Sequence, residues 1–292
     1  HELRTWQALK VPASRPFPAM TFSSALACAL LGGMFAVLAD ATCSDEAWAM
    51  DYSPERCHMV GDTAVAGCTG KISGSCGMRM YSRSKVGRGV YSMAIKAAPG
   101  AGVATAFYLS TSTTNGGLFT GTPWVEIDWE ILGLQAGPQT RIWTNLMTGV
   151  AQEHNELVTV PFDVSAGYHT YSIHISNSTI SWVADGVAYR TIDFTPFPDV
   201  VEHVGNSDFK VFASLWGRSE RDPVIGIPAF RDALGVLENN SNHFPLYACY
   251  RRGGSRRLGG HGPLGEGGDL AEVEREEKAM EDEDPRSSRG AE

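Results

Sequence analysis

Residues Trp124–Gly133 read W-V-E-I-D-W-E-I-L-G, with the acids Glu126, Asp128 and Glu130 interleaved with the large apolar residues Ile127, Trp129 and Ile131. Alternation with period two is the pattern of a half-buried strand, whose successive side chains point to opposite faces. In a strand the three carboxylates share one face and the three apolar side chains the other. A helix would keep Glu126 and Glu130 together but turn Asp128 away. Strand rise sets the Cα atoms of Glu126 and Glu130 roughly 13 Å apart. Side chains leaning together then bring the carboxyls to about 5–6 Å, the separation of a retaining glycosidase pair. Crowding of like charges raises at least one pKa, so one glutamate can hold a proton as general acid while its partner is ionised as nucleophile. The bland alternative is an acidic surface strand. Such strands usually dilute acids with Lys, Thr and Ser, and this one does not.

Other segments of the chain carry a likeness to a known family. Gly121-Thr122-Pro123-Trp124 precedes the motif and Ile131-Leu132-Gly133 follows it. Upstream lie V-G-R-G-V-Y-S-M-A-I-K-A (Val86–Ala97) and T-A-F-Y-L-S (Thr105–Ser110). Downstream lie T-N-L-M-T-G (Thr144–Gly149), F-D-V-S-A-G-Y-H-T-Y-S-I (Phe162–Ile173), I-S-W-V-A-D-G-V (Ile180–Val187) and F-K-V-F-A-S-L-W (Phe209–Trp216). Together these resemble glycoside hydrolase family 16, in order, over about residues 75–218. The unbulged E-x-D-x-E form is similar to that of the bacterial lichenases and the plant xyloglucan endotransglucosylase/hydrolases.

The resemblance implies an all-β jelly-roll β-sandwich of the concanavalin A-like lectin/glucanase kind, with a carbohydrate cleft on a concave sheet. It implies that Glu126 is the nucleophile, Glu130 the general acid/base and Asp128 the assisting residue, with retention through a glycosyl-enzyme. For substrate binding it implies Asn145 beside the donor sugar, Trp216 as a subsite platform and Phe107 as a cleft-lining ring; Trp124 and Trp182 are candidate sugar contacts, with core packing an equal reading of each. Leu109 would be a weakened cleft-lining position. Ser92, Ala94 and Val125 depart from lichenase and imply an altered donor subsite. His169 is expected to be a structural hydrogen-bonder. The implied activity is a retaining endo-β-glucanase on internal β-1,4 or mixed β-1,3/1,4 bonds. A cell-wall glucan or xyloglucan transglycosylase using the same site is the alternative. A non-catalytic glucan-binding lectin is the alternative of another class, and such relatives usually lose the glutamates.

Composition sets the outer bounds. The 292 residues, with 32 Gly and 10% aromatics, suit one mid-sized β domain with flanks. Of the net charge of -9, residues 265–292 carry eleven acids and four bases, or -7, which leaves -2 for the rest. A near-neutral body excludes a basic nucleic-acid surface and matches a neutral β-glucan as polysaccharide partner. The expected protein is a monomer without stable membrane insertion. It needs no cofactor; no metal-ligand motif is present, and a structural calcium site is not legible. Residues 1–19 are unassigned, 20–41 read as a signal peptide ending in small residues, 42–250 as the catalytic domain, and 251–292 as a low-complexity acidic tail, disordered by composition. Secretion to the extracellular space or cell wall agrees with Cys43, Cys57, Cys68 and Cys76, which suit two disulfides of undetermined pairing. Cys249 is left over. Asp185-Gly186 predicts a hairpin turn.

Overall fold

The computed structural model describes residues 43–71, 75–112, 123–149, 152–220, 228–243 and 246–257, all within one unit spanning residues 36–292. The expected signal segment, residues 1–19 and the chain beyond Arg257 lie outside the described residues. In chain order the elements are β1 (Trp48–Tyr52), β2 (Cys57–Val60), β3 (Thr63–Cys68), β4 (Met78–Ser82), β5 (Gly89–Lys96), β6 (Val103–Ser110), β7 (Glu126–Leu132), β8 (Thr140–Thr148) and β9 (Gln152–Val160). There follow β10 (His169–Ile175), β11 (Thr179–Ala184), β12 (Val187–Asp193), α1 (Pro198–Asn206), β13 (Lys210–Gly217), α2 (Pro228–Leu234) and β14 (Leu246–Arg257).

Two seven-stranded antiparallel sheets form the jelly-roll sandwich that the family resemblance implies, ordered β1-β4-β13-β6-β7-β8-β9 and β12-β11-β10-β5-β14-β3-β2. The apolar sets of facing strands meet between them. Ile127, Trp129 and Ile131 of β7 are fully buried there with Phe107 and Leu109 of β6 and Tyr171 and Ile173 of β10. Full burial of such side chains contributes about 1.5–3 kcal/mol each. Indole and phenol groups cross the gap and find partners on the far sheet. Trp129 Nε1 donates to Ser172 O at 3.0 Å, Trp182 Nε1 to Asp128 O at 2.9 Å, and Tyr250 Oη to Ser214 O at 2.7 Å. A buried polar tip needs such a partner.

Local chemistry explains the turns. Asp185 and Gly186 both have positive φ, 49° and 80°, the conformation of the tight hairpin expected between β11 and β12. Gly102 (φ 74°) lies so close to the backbone of Val236 and Leu237 that an added Cβ would sit 2.2 Å from Leu237 N. Only glycine lets the segment after α2 lie on this turn.

Two readings of the chain ending need correction. The expected boundary at residue 250 cuts through β14, which continues to Arg257 and lies in mid-sheet between β5 and β3. Its second half, R-R-G-G-S-R-R, pairs with β5 by backbone hydrogen bonds that impose no apolar alternation. Cys249, expected to be unpaired, is disulfide-bonded. Disulfides Cys43–Cys57 and Cys68–Cys76 staple the N-terminal segment. Among the described residues no helix is long and apolar enough to cross a membrane.

Candidate active site

β7 is the fifth strand of its sheet, flanked by β6 and β8, and its register fixes what surrounds each acid. Glu126 lies between Ser110 and Met147, Asp128 between Tyr108 and Asn145, and Glu130 between Ala106 and Trp143. The face opposite the core is therefore built from acids flanked by a hydroxyl, a phenol, an amide and an indole. Glu126 and Glu130 keep partial exposure, whereas Asp128 between them is 2% exposed.

Asn145 lies on the face that carries the acids and donates from Nδ2 to Glu130 Oε2 at 3.2 Å. Burial pushes the Glu126 carboxyl from its ordinary 4.5 up to about 7, against the hydrogen bond from Ser110 and the charge of Arg79. Asp128 is driven well above the usual carboxylate range, first by burial and then by the charges of Glu130 and Glu126. Asn145 opposes that shift through its side chain and backbone. Burial and the neighbouring acids thus bias Asp128 toward its protonated form. Its Oδ1 and the Oδ1 of Asn145 are both buried without a partner, so this part of the site holds unspent hydrogen-bonding capacity.

Below β7, Trp182 takes the core position that was one of its two readings. It is fully buried between the sheets, where it donates to the Asp128 carbonyl, and it cannot meet a sugar. The Arg190 guanidinium covers its ring at 4.6 Å and donates to Thr144 O at 2.6 Å and His154 O at 2.9 Å. An indole and a cation thereby hold β7, β8 and β9 from beneath. Phe107 is likewise not a cleft residue. It pairs with Trp129 and shares its core face, so the cleft-facing neighbours are Ala106 and Tyr108. Trp124 precedes β7 with 4% exposure, its backbone N–H donating to Gly149 O, and offers little ring to a ligand. Leu109 and Val125 are core residues. Ser92 and Ala94 sit on β5 of the other sheet, where Ser92 Oγ lies 2.8 Å from Ser172 Oγ, remote from any donor subsite. His169 is structural as expected, with Nδ1 2.7 Å from Asp185 Oδ2 and its ring stacked on Phe162 at 3.7 Å.

Two aromatic groups lie on the acidic face of the sheet, and of their members only Trp216 was among the expected residues. On the β6–β13–β4 side, Tyr108 stacks on Phe212 at 4.8 Å and 7°, with Tyr81 at 5.7 Å from Phe212. Arg79, 7% exposed, lies over Phe212 and Tyr52 and is paired with Asp51. Beyond Glu130, Trp216 of β13 lies opposite Ala104 on the same face as the acids. It is joined there by Trp143 of β8 and by Phe230 and Leu234 of α2. The face parity of Tyr108 and Trp143 becomes readable once the pairing with β7 is known; the contribution of α2 has no signal in the motif. Among the described residues no group of three His, Cys, Asp or Glu side chains is arranged to hold a metal ion.

Comparison with known proteins identifies the family and the fold. The family model for glycosyl hydrolases family 16 matches residues 45–226. The β-glucanase of Bacillus subtilis (strain 168) is 29% identical over 164 residues, covering 56% of this chain and 56% of its own length. A probable xyloglucan endotransglucosylase/hydrolase, protein 5 of Arabidopsis thaliana, is 34% identical over 166 residues, covering 56% of this chain and 50% of its own length. The chain thus spans about half the length of these curated relatives. Among solved structures the Bacillus licheniformis β-glucanase superimposes with a TM-score of 0.52 at 22% identity, covering 71% of this chain and 91% of its own. The apo Crh5 transglycosylase does so with a TM-score of 0.52 at 18% identity, covering 72% and 78%. At these identities the likeness concerns the fold.

Proposed function

The chain belongs to glycosyl hydrolases family 16, and from that premise we propose that it is a secreted, retaining enzyme that opens internal bonds of β-1,4- or mixed β-1,3/1,4-glucans. The observation that carries this reading is the row of three carboxyls on one face of β7, with Asn145 bonded to Glu130. In the proposed first step, ionised Glu126 attacks the anomeric carbon while Glu130 gives its proton to the departing glycosidic oxygen. A glucosyl ester on Glu126 results. Glu130, now a carboxylate, then takes a proton from the incoming water or sugar hydroxyl, which releases the sugar with its configuration retained. Asp128, biased toward its protonated form between the two glutamates, is the assisting residue in both halves. Asn145 fixes the rotamer of Glu130.

Transfer to a second sugar is the companion reading, favoured by the aromatic group beyond Glu130, which offers an apolar surface to a pyranose face. Incubation with barley β-glucan, xyloglucan and laminarin, with and without a labelled oligosaccharide, separates the two. Shortened chains without label mark a hydrolase, and labelled long chains a transglycosylase. The variant Glu126→Gln should abolish both. Full activity of Glu126→Gln on these glucans would sink the assignment, and no change by the unmodified protein on any of them would favour a binding protein.

A further inference from the structure

Helix α2 is too short to be a domain of its own, yet it is fixed on the catalytic face at several points. Phe230 and Leu234 pack on Ala104, Leu132 and Trp143, which belong to β6, β7 and β8. Gly102 N–H donates to Leu234 O at 2.7 Å, and Arg218 Nη1 donates to Gly235 O at 3.0 Å. Buried Asn242 donates from Nδ2 to Ala101 O and Leu237 O and accepts from the Ala101 N–H, which ties the segment after α2 to the β5–β6 turn. The helix is therefore held from both its end and its underside. Its aromatic residue stands between two others. Phe230 meets Trp143 edge-on at 5.7 Å and 62°, and lies nearly parallel to Trp216 at 6.3 Å and 22°. Phe230 is 7% exposed, whereas Trp216 keeps partial exposure. The ring open to a ligand is thus Trp216, and Phe230 is what it rests against.

The position of this stack has chemical meaning. Trp143 is the direct cross-strand neighbour of Glu130, and Trp216 lies across from Ala104, which pairs with Leu132, two residues past Glu130. The stack is on the acid/base side of the acidic row, away from Glu126. The acid/base exchanges its proton with the oxygen of the leaving sugar and then with that of the incoming one, so a sugar held here is the leaving or accepting sugar.

We propose that Phe230, carried by α2, is a positioning residue that sets the Trp216 ring as the platform for the accepting sugar and thereby governs transfer against hydrolysis. The proposal rests on the retaining reading given above. A flat ring beneath Trp216 restricts its rotamers, so a pyranose face can stack on it without first ordering it. Loss of that pre-ordering falls on acceptor binding and leaves the attack of Glu126 largely untouched.

The test splits the two half-reactions. Glycosyl-enzyme formation is followed by release of dinitrophenolate from an aryl β-cello-oligosaccharide, whose leaving group needs no sugar platform. Transfer is followed with a labelled cello-oligosaccharide acceptor. Phe230→Ala and Phe230→Leu are expected to raise the acceptor KM about tenfold, equivalent to about 1.4 kcal/mol, while phenolate release changes less than twofold. Phe230→Trp, which restores a flat ring, is expected to recover most of the loss. Parallel losses in both half-reactions, or loss in Leu and Trp variants alike with a lowered Tm, would mean that Phe230 only supports the fold and would overturn the proposal. So would an unchanged acceptor KM. Failure of the unmodified protein to release phenolate or to form a glycosyl ester on Glu126 would instead remove the retaining mechanism on which the proposal stands.

Discussion

Replacing Glu126 by Gln is expected to stabilise the fold at alkaline pH and to change it little in acid. Burial lifts this carboxyl from its ordinary 4.5 to about 7, with Ser110 and Arg79 only partly opposing. Below pH 4.5 the group is protonated in the folded and unfolded chains alike, and ionisation contributes nothing. Between 4.5 and about 7 the unfolded chain releases its proton while the folded chain retains it, so stability falls as pH rises. Above about pH 7 the loss is complete. At 1.36 kcal/mol for each pH unit between the two values, the loss amounts to about 3 kcal/mol. That is an upper figure for Glu126 alone, because its partial exposure lets water screen the charge. Removing the charge also relieves Asp128, which Glu126 helps to hold in its neutral form, and this acts in the same direction. Gln keeps the shape and an acceptor oxygen for the Ser110 hydroxyl. Urea unfolding followed by tryptophan fluorescence should therefore give coincident curves near pH 4 and a Gln variant more stable by about 2–3 kcal/mol near pH 8.5. An equal difference at both pH values would refute the argument, because a packing effect does not titrate. So would a wild-type protein that is the more stable of the two at alkaline pH.

Three further outcomes test other parts of the site. Joint replacement Arg79→Met and Asp51→Asn removes the ion pair without leaving either charge alone. It should move the acid limb of kcat/KM, set near pH 7 by Glu126, to higher pH, so that activity falls more at pH 6 than at pH 8; an unmoved limb would show that Arg79 does not act on the nucleophile. Trp182→Phe deletes the buried donor to the Asp128 carbonyl and should cost about 1–3 kcal/mol of stability by denaturant unfolding, whereas a sugar contact would change KM at constant stability. Asn145→Ala removes the donor to Glu130 and should lower kcat/KM about tenfold to a hundredfold, the worth of a hydrogen bond to a charged group, with the loss in kcat if the role is to hold Glu130.

The catalytic strand was legible because its seven residues are a local pattern. Glu126, Asp128 and Glu130 need only strand geometry to share a face, and β7 supplies it. The lining of the site was legible only in part, because it depends on pairing across the sheet. Asn145 and Trp216 were reached through family segments. Phe107 was taken in place of Tyr108 because a shift of one residue exchanges the two faces of a strand, and only the register with Asp128 decides between them. Trp182 stayed open between two readings for another reason. An indole serves equally as a sugar platform or as a core residue with a polar tip, and what settles its role is a carbonyl fifty-four residues away in sequence. Phe230 and β14 lay in a stretch with neither strong alternation nor family likeness, where the organising contacts are made to the outer face of β6–β8 and to the flanks of β5 and β3.

These failures share a cause that bears on how the site works. β7 carries chemistry on one face and cohesion on the other, and the two are coupled at the backbone. Glu126 and Asp128 are kept from full hydration, which raises their pKa values and opposes folding. Ile127, Trp129 and Ile131, fully buried on the reverse side, supply the opposing stabilisation. The indoles of Trp129 and Trp182 carry that coupling, one donating from β7 to the far sheet and the other from the far sheet to β7. A strand held in this way cannot rotate to hydrate its carboxylates without breaking both bonds and opening the core. The near-neutral pKa of Glu126 is in this sense a property of the whole sandwich, which is why substitutions at buried, sugar-remote positions such as Trp182 are expected to register in the pH profile as well as in stability.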